Sequence, residues 1–431
     1  MAPTLRPDVV VIGAGITGSA TAAALAERGL RVVVIEKEAG PAYEGSGRAQ
    51  GSLRVQGRHA SEFPLALEAM RLWDRAAEED PGHDLELVRG GNLYLATEPD
   101  ERPMLRRLAH EARDSGLDQV RYLEADEVRV ILPAATGSFL GAMWSPYDAQ
   151  AQPAEATRLY VRRAERAGVS FMFGCRVTRL LQAGSRITGV ATTGGTLRPD
   201  AVVVAAGAWS SHLLAAAGVR LPLIPVILSE LETAPLAPLF RPSVRAFGFG
   251  ARQRPDGRVV VSAGLGAVVT RRASLYDLNG MRHWLPRART FRKNLRLRVD
   301  ARQLARELSS RSSIGPHLVP GTSPEPPCDK GSVDRAMSRL ALVFPAAEGA
   351  AVRRYWGGLI DMTPDGLPVI DRAGPDGLTV VAGLCGHGLA IGPALGAIAA
   401  DLVTGAPTSF DLTSFALSRF DGDVAAPDVM I

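Results

Sequence analysis

The feature that most constrains the fold is a glycine-rich segment, GAGITG at residues 13–18, which stands between a predicted strand and a predicted helix. Residues 8–12 (DVVVI) form a short continuous apolar run, which predicts a strand buried on both faces. Residues 16–28 are rich in Ala and predict a helix that Gly29 ends, and residues 31–36 (RVVVIE) predict a second buried strand. A strand, a helix and a strand within about thirty residues form a βαβ unit, in which the two strands run parallel.

Each glycine of this segment has a place in a dinucleotide-binding turn. Gly13 permits the tight turn, Gly15 lets the backbone approach a pyrophosphate, and Gly18 allows the helix to pack closely on the strand. The first helical turn, at Ile16 and Thr17, presents unpaired N–H groups and the positive end of the helix dipole to the phosphates. The segment therefore predicts a bound dinucleotide, and a glycine-rich turn without a ligand is the alternative.

Residues further along the chain favour FAD over NAD. Glu36 ends the second strand, where its carboxylate can accept hydrogen bonds from an adenosine ribose. Two more glycine-rich strand ends follow, VVVAAGAW at residues 202–209 and GLCGHGL at residues 383–389, and a helix starts after the second. That helix N-terminus suits the pyrimidine end of a flavin, where negative charge accumulates on reduction. An NAD-dependent dehydrogenase is the rival, and an absorbance spectrum separates the two cofactors.

Composition narrows the class of protein further. The chain has 431 residues, too many for one simple core, and its 46% hydrophobic and 22% charged residues are typical of ordinary globular proteins. The net charge of +4 is small and spread along the chain, which argues against a nucleic-acid partner. Three cysteines in no zinc pattern predict no metal site and suit a reducing compartment. We recognise no signal peptide and no membrane-spanning run, so a cytoplasmic location is expected.

The parallel-strand pattern returns in pieces, and the regions between them have another pattern. Residues 222–262 alternate short strands with turns, which predicts an antiparallel sheet. Residues 271–313 are polar and Arg-rich and predict helix, and residues 316–330 hold five prolines and predict a loop. The expected fold class is α/β, with a Rossmann-type FAD-binding domain interleaved with an α+β substrate domain on a mainly antiparallel sheet. We assign the FAD-binding domain to residues 1–90, 150–220 and 350–431, and the substrate domain to residues 91–149 and 221–349.

Several segments together resemble the superfamily of D-amino-acid oxidase, glycine oxidase and sarcosine oxidase, over nearly the whole chain. Besides the glycine-rich turn and VVVAAGAW, they are GSGRAQGSLR at residues 45–54, TPDGLP at residues 363–368 and GHG at residues 386–388. Residues 356–365 (WGGLIDMTPD) are most similar to the β subunit of heterotetrameric sarcosine oxidase. The resemblance implies oxidation of the C–N bond of an amino acid or N-substituted amino acid by hydride transfer to flavin N5, after which the imine is hydrolysed.

At some positions this chain departs from members of that superfamily. Ile360 stands where glycine and D-amino-acid oxidases often carry a carboxylate-binding Arg, which argues against a simple D-amino-acid oxidase. Gly358 stands where monomeric sarcosine oxidase attaches FAD to a Cys, so non-covalent FAD is expected. Tyr147 and Asp148 replace a His-Asp pair that anchors a second flavin in the heterotetrameric enzyme, so covalent FMN is not expected. Ala390 stands where the monomeric enzyme has a Lys, which leaves oxygen and another electron acceptor both open.

The resemblance also implies a set of cofactor contacts at matching positions. They are Gly13, Gly15, Ile16, Thr17, Gly18, Glu36, Lys37, Ser46, Arg48, Gln50, Gly51, Val177, Ala206, Gly207, Trp209, Gly386, His387, Gly388 and Leu389. Arg48 lies in the loop that the family wraps over the flavin, and a solvated loop position is its alternative interpretation.

Three residues are candidates for the catalytic side of the site. Arg54 is the candidate carboxylate clamp because a guanidinium binds a carboxylate by two parallel hydrogen bonds; otherwise it contacts the flavin or a loop carbonyl. His387, between two glycines, is either a polar group beside the substrate or flavin, or a side chain turned away to bond a backbone carbonyl. Tyr147 is a candidate wall of the substrate pocket, and core packing is the alternative.

The expected substrate is a secondary or substituted amine that carries a carboxylate, such as an N-alkyl amino acid, an imino acid or an opine. The nitrogen must be neutral so that its lone pair assists hydride departure, and burial in an apolar pocket lowers the pKa of an ammonium group. We therefore assign no general base. The alternatives are a D-amino-acid dehydrogenase or oxidase, and a flavin-binding subunit active only within a hetero-oligomer; a homo-oligomer is also open.

Overall fold

The computed structural model describes residues 6–215, 217–264, 269–272, 280–285, 295–301, 304–305, 308, 325–422 and 424. Its helices are α1 (Ile16–Ala26), α2 (Phe63–Glu79), α3 (Glu101–Asp114), α4 (Ala125–Ile131), α5 (Pro153–Arg166), α6 (Ser210–Ala215), α7 (Met281–Trp284), α8 (Lys330–Val343) and α9 (Gly388–Thr404). Its strands are β1 (Val9–Ile12), β2 (Val32–Ile35), β3 (Ser52–Leu53), β4 (Asn92–Ala96), β5 (Arg121–Glu124), β6 (Gly141–Ser145), β7 (Ala149–Gln150), β8 (Ser170–Met172), β9 (Val177–Ala183), β10 (Arg186–Thr192), β11 (Gly195–Leu197), β12 (Ala201–Val204), β13 (Ile224–Thr233), β14 (Ser243–Ala246), β15 (Phe249–Gln253), β16 (Val259–Ser262), β17 (Val269–Arg272), β18 (Leu295–Arg298), β19 (Val352–Met362), β20 (Val369–Arg372) and β21 (Leu378–Ala382).

Strand β1 lies inside a six-stranded sheet whose order is β20-β21-β12-β1-β2-β8. Val9 of β1 pairs in parallel with Val32 of β2 on one side and with Ala201 of β12 on the other. Strands β21 and β8 continue the parallel arrangement, and β20 closes one edge antiparallel to β21. All four residues of β1 are buried, as expected for a strand covered on both faces. The predicted βαβ unit and the later buried strands near residues 201 and 378 are confirmed.

Parallel strands bring two helix N-termini to one edge of this sheet. Helix α1 follows β1 and helix α9 follows β21, so both helices begin at the carboxyl edge, where α/β sheets bind ligands. Trp73 of α2 is buried and donates a hydrogen bond from Nε1 to the carbonyl of Ala390 (3.0 Å). This bond fixes the first turn of α9 against α2.

The second large sheet is mostly antiparallel, as predicted, and has the order β18-β17-β13-β16-β15-β14-β4-β6-β5. Strand β19 pairs with β13 over its whole length, from Ile224 opposite Met362 to Thr233 opposite Val352. Strand β19 therefore belongs to this sheet, although we assigned residues 350–431 to the FAD-binding domain. The division into two domains otherwise stays a prediction.

The predictions for the Arg-rich region are partly wrong. Residues 271–313 were expected to be helical, but Leu295–Arg298 form β18, parallel to β17. The sequence LRLR alternates with a period of two, which fits a strand better than a helix. Helix α7 and the helical residues 301, 304, 305 and 308 agree with the prediction, and residues 273–279, 286–294 and most of 302–313 lie outside the described residues, as do residues 316–324 of the predicted loop. Helices α3, α4 and α8 and strand β19 were not predicted.

Three features of the described ranges bear on the class of protein. No helix there is long and apolar enough to cross a membrane. In the same residues, no group of three or more His, Cys, Asp or Glu side chains is placed to hold a metal ion. The three cysteines are free thiols, so no disulfide ties the two large sheets together.

Candidate cofactor and substrate site

A cavity of about 700 Å³ is lined by residues of both large sheets. One end meets the carboxyl ends of β1, β2 and β12 and the glycine-rich turn before α1. The other end meets side chains of β13, β14, β16 and β19 in the antiparallel sheet. We call these the nucleotide end and the sheet end of the cavity.

The glycine-rich turn leaves no room for side chains at two of its positions. Gly13 has φ +109°, and a Cβ there would lie 2.5 Å from the carbonyl oxygen of Ala205. A Cβ on Gly18 would lie 2.0 Å from the carbonyl oxygen of Gly13. The N–H of Ile16 donates to Ser46 Oγ (3.0 Å), and the first turn of α1 contains no acidic residue. The positive end of the α1 dipole is therefore suited to an anion.

Charged and aromatic side chains form the wall beyond this turn. Glu36 accepts a hydrogen bond from the N–H of Ala14 (2.8 Å), and burial raises its pKa. Lys37 Nζ lies 2.6 Å from Glu44 and 5.5 Å from the centroid of the Trp209 ring. Trp209 Nε1 donates to the other oxygen of Glu44 (2.7 Å). These contacts hold Glu36 where the sequence predicts the adenosine ribose, and they fix Trp209 in the same wall of the cavity.

His387 immediately precedes α9 and belongs to a buried chain of polar groups. Its Nδ1 lies 3.3 Å from Glu62 Oε1, which in turn lies 3.1 Å from Arg58 Nη1. Burial, reinforced by Arg58, lowers the pKa of His387 to about 4. Burial opposes ionisation of Glu62, but His387 and Arg58 lower its pKa to about 2. A neutral His387 donates from Nδ1 to this carboxylate, which makes Nε2 an acceptor.

The Nε2 atom of His387 is the part of this chain of groups that a ligand can reach. It is buried and has no hydrogen-bond partner within the described part of the chain. His387 lines the cavity together with Gly386 and Gly388. A buried acceptor without a partner is costly, so a donor on the cofactor or substrate would satisfy it. The alternative in which His387 turns away to bond a backbone carbonyl is wrong.

Two arginines line the sheet end of the cavity. Arg54 donates from Nη1 to the carbonyl of Gly57 (3.3 Å), and Arg245 on β14 lies with its guanidinium 5.7 Å from the centroid of the Tyr94 ring. Burial lowers the pKa of Arg54, and the charge of Arg245 lowers it further. Arg245 has no ion pair among the described residues, and the carboxylate whose charge acts on it is that of Asp148. This end of the cavity is therefore poised to receive an anion.

Tyr147, the third predicted catalytic residue, does not line the cavity, which does not support its assignment to the substrate site. In the turn between β6 and β7 its hydroxyl donates to Asp118, on the outer side of the sheet end. The next residue, Asp148, points inward and accepts hydrogen bonds from Ser145 Oγ (2.7 Å) and the N–H of Val55 (3.2 Å). A turn sends neighbouring side chains in different directions, and the sequence does not show which of the two faces the site.

Long-range contacts fix the loop of residues 45–54. Arg48 donates from Nε to the carbonyl of Tyr43 (2.9 Å), and its Nη1 lies 3.0 Å from Glu325. The carbonyl of Arg48 accepts a hydrogen bond from Trp356 Nε1 on β19 (3.0 Å). Arg48 lines the cavity, but its guanidinium is already engaged by the protein. Contacts within the protein therefore hold this loop in place without help from the cofactor.

Asp361 brings the two C-terminal motifs together. Its Oδ2 accepts a hydrogen bond from the N–H of Gly383 (2.8 Å), and its backbone carbonyl accepts one from Cys385 (3.0 Å). Thr363 Oγ1 lies 3.1 Å from Cys385 Sγ. Burial raises the pKa of Asp361 to about 6 and that of Cys385 to about 12, so the thiol is no nucleophile. These contacts explain why TPDGLP and GHG occur together.

The structure gathers almost all predicted cofactor positions around one cavity. Those that line it are Gly13, Gly15, Ile16, Thr17, Glu36, Lys37, Ser46, Arg48, Gln50, Gly51, Val177, Ala206, Gly207, Trp209, Gly386, His387, Gly388 and Leu389. Gly18 lies behind the turn, outside the lining, where it allows the close helix packing expected of it. Contact of each residue with the cofactor itself stays a prediction.

Sequence reasoning missed four charged residues that the structure places at or beside the cavity. Arg58 and Glu62 follow Arg54 at steps of four, but residues 54–59 are not helical, so helical spacing does not explain how these side chains come together. Arg245 and Glu230 stand at inward positions of alternating strands, where a charge is unusual and therefore informative. The pairing that brings them to one cavity cannot be read from their separation in the chain.

The residues present fit both the adenosine diphosphate and the flavin parts of FAD. The turn has room for a pyrophosphate, and Glu36 lies where its carboxylate can accept hydrogen bonds from the adenosine ribose. The start of α9 and the unpartnered His387 Nε2 suit the polar edge of a flavin. This fold and site define a flavin-dependent oxidoreductase.

Comparison with known proteins gives the family. A family model described as FAD dependent oxidoreductase (DAO) matches residues 8–402. The chain is 29% identical to glycine oxidase of Geobacillus kaustophilus over 98% of this chain and 99% of that protein. It is 26% identical to sarcosine oxidase subunit beta of Rhizobium meliloti over 97% of this chain and 89% of that protein. The solved structure of L-amino acid deaminase from Proteus myxofaciens, in complex with anthranilate, matches with a TM-score of 0.85 at 26% identity, covering 97% of this chain and 94% of that one.

The chain therefore belongs to the DAO family of FAD-dependent oxidoreductases. The family and the cofactor predicted from the motifs are confirmed, and NAD as the alternative is wrong. Identity to the sarcosine oxidase subunit is no higher than identity to the glycine oxidase, so the comparisons do not separate the branches that the motif suggested.

Proposed function

We propose that this chain oxidises the C–N bond of an amino acid or N-substituted amino acid, such as an N-alkyl amino acid, an imino acid or an opine. The observation that carries the proposal is an excess of buried positive charge at the sheet end of the cavity. The names of several relatives support it, because glycine, sarcosine and N-methyl-L-tryptophan are all amino or N-methylamino carboxylates.

The excess charge comes from three arginines that share two carboxylates. Arg58 is paired with Glu62 at 3.1 Å. Asp148 lies near Arg54 and Arg245, and even when ionised it balances only one of these two charges. Leaving a buried charge without a partner costs several kcal/mol, so a substrate carboxylate is favoured at this point. Arg54 and Arg245 are the residues we expect to bind it, by the parallel hydrogen bonds of a guanidinium.

The remaining lining supports amine oxidation. Bound FAD supplies a hydride acceptor. Val226, Leu228 and Ile360 give the cavity an apolar surface that excludes water and lowers the pKa of a bound ammonium group, so the nitrogen lone pair becomes available. His387 holds an acceptor at Nε2 and stays neutral near pH 7, since its pKa is about 4. Water then converts the imine to a carbonyl compound and an amine.

We infer that FAD is held without a covalent bond. Gly358, at the position where monomeric sarcosine oxidase has its attachment Cys, lines the cavity and offers no side chain. Precipitation of the protein with acid should release all the flavin into the supernatant. Flavin that stays with the precipitated protein would contradict this assignment.

The test of the proposed function is a flavin-reduction screen without oxygen. Candidate substrates are N-methyl amino acids, proline analogues, opines and both enantiomers of common amino acids. Matched amines that lack the carboxylate serve as controls and should reduce the flavin far more slowly. Bleaching by the amines alone, or by none of the compounds, would overturn the proposal. Repeating the reaction with oxygen and with an artificial acceptor, and measuring the mass of the active species, identifies the acceptor and tests for an oligomer.

A further inference from the structure

A row of directly paired residues crosses the antiparallel sheet beneath the sheet end of the cavity. Glu230 pairs with Ser262, Ser262 with Gly250, and Gly250 with Arg245. Directly paired residues project from the same face of a sheet. Three strand spacings separate the two ends of the row, so the backbones of Glu230 and Arg245 lie about 14 Å apart.

The row is charged at its ends and small in its middle. Glu230, Ser262 and Arg245 all line the cavity. Between the two charged residues stand a hydroxymethyl group and a glycine, and the side-chain amide of Gln50 lies over the glycine, 3.2 Å from where its Cβ would be. A ligand that lies along this wall of the cavity, over Gln50, meets a guanidinium at one end and a carboxyl group at the other.

Glu230 has no partner for its side chain within the described residues. It is 4% exposed, and its Oε2 is buried without a hydrogen bond. Burial raises its pKa to about 8, against the opposing influence of Arg252. A buried polar group without a partner is uncommon in folded proteins and is a frequent mark of a ligand site.

The charges behind Glu230 are already balanced without it. They are Arg252, Arg254, Arg258, Glu86, Glu232 and Asp256. Three positive and three negative groups make up this cluster. Arg252 donates from Nε to the carbonyl of Gln50, and its buried Nη1 has no hydrogen bond among the described residues. Its charge lowers the pKa of Glu230, but no ion pair joins the two side chains in the described structure. Glu230 therefore lines the cavity without an ion pair to a protein cation.

We propose that Glu230 is a subsite for a protonated nitrogen at the end of the substrate's side chain, so that the preferred substrates are basic amino acids of the lysine, ornithine or arginine type. This inference rests on the proposed function, in which Arg54 and Arg245 bind the carboxylate. The α-amino nitrogen lies one carbon from that carboxylate and cannot reach Glu230 at the same time, whereas a side-chain nitrogen can. A cation next to Glu230 favours the ionised carboxylate, so binding would release a proton from this residue.

The experiment compares lysine with norleucine, which has the same carbon chain without the terminal nitrogen, in the stereochemical form that reduces the flavin faster. Wild-type enzyme should show a higher kcat/KM for lysine. Glu230→Gln should lower kcat/KM for lysine by about 10- to 100-fold and leave that for norleucine within about threefold, because only lysine loses a charged partner. Glu348→Gln, which removes an exposed carboxylate, is the matched control and should change neither value.

A binding measurement tests the subsite without turnover. We expect ε-aminocaproate to perturb the flavin spectrum at lower concentration than caproate does, and Glu230→Gln to remove the difference. Glu230→Met serves if the Gln variant does not fold, and it should also favour norleucine. Equal binding of the two ligands by wild-type enzyme, or equal kcat/KM for lysine and norleucine, would overturn the subsite while leaving the proposed function intact. A loss of FAD affinity in Glu230→Gln would place Glu230 against the cofactor instead, which also overturns it.

Discussion

The two ends of the cavity are built in different ways. The nucleotide end is built around the backbone of consecutive residues 13–18, with glycines at positions where a Cβ would lie only 2.0–2.5 Å from a carbonyl oxygen. The sheet end consists of side chains from strands far apart in the chain, including Arg245 on β14 and Glu230 on β13. A ligand common to a whole family suits the first construction, and a substrate that differs between members suits the second. Substitutions at the two ends should therefore have different kinds of effect.

The largest effect is expected at the nucleotide end. Gly18→Val should abolish FAD binding, because its Cβ would displace the carbonyl of Gly13 and open the turn. The measurement is the ratio of flavin to protein absorbance after purification and after addition of FAD. Gly82→Val is the control, since a Cβ at Gly82 meets no atom within 4 Å. A yellow Gly18→Val protein with ordinary FAD affinity would show that the turn is not the anchor.

A smaller and more selective effect is expected at the sheet end. Arg54→Met and Arg245→Met should each bind FAD normally but lower kcat/KM for a carboxylate substrate on the order of 100-fold, because a buried charged pair is broken. Oxidation of an amine without a carboxylate should change little. Arg75→Met, on an exposed helix face, is the control. If either cavity variant kept its wild-type KM for the carboxylate substrate, that arginine would not be part of the clamp.

His387 and Glu62, which lie between the two ends, should make the free energy of unfolding depend on pH. The pKa of His387 falls from its usual 6.5 to about 4, so the unfolded chain binds more protons between those values and stability decreases as pH falls through that range. The pKa of Glu62 is lowered from 4.5 to about 2, so the free energy of unfolding decreases further as pH falls through that lower range. His387→Asn should remove the first loss, on the order of 2 kcal/mol.

Urea unfolding from pH 7 to pH 4 measures this loss, and a second buried histidine supplies the comparison. Burial lowers the pKa of His212 to about 4 as well, so His212→Asn should also flatten the acid dependence. Only His387→Asn should also change the rate of flavin reduction, because His387 lines the cavity and His212 does not. An acid dependence that His387→Asn leaves unchanged would mean that His387 is already protonated in the folded protein.

The smallest effect is expected at Tyr147. Tyr147→Phe removes the hydrogen bond to Asp118 on the outside of the sheet end and should alter the free energy of unfolding by at most about 1 kcal/mol. We expect kcat/KM to stay within about twofold of wild type, as for a surface substitution. A large fall in kcat/KM with unchanged stability would show that Tyr147 does contribute to the substrate site.

The difference between the two ends also explains what the sequence could predict. Gly13, Gly18 and Glu36 lie within one βαβ unit, where local pattern and fixed chirality determine the geometry. Arg245 reaches the cavity only through the pairing of β14 with β15 and β4, and such register depends on the whole sheet. Tyr147 was assigned to the site and Asp148 was not, because the direction of a turn is set by tertiary contacts.

Strand β1 has consequences for how the chain is made. Its neighbours β12 and β21 begin at residues 201 and 378, so three adjacent strands come from the beginning, the middle and near the end of synthesis. Most of the chain must therefore be synthesised before β21 can pair with the free edge of β12. Pairings between residues so far apart in the sequence form slowly. The nascent polypeptide carries an open strand edge during that interval, a template for association with other chains. We therefore expect the newly made chain to need chaperones mainly until β21 has been synthesised.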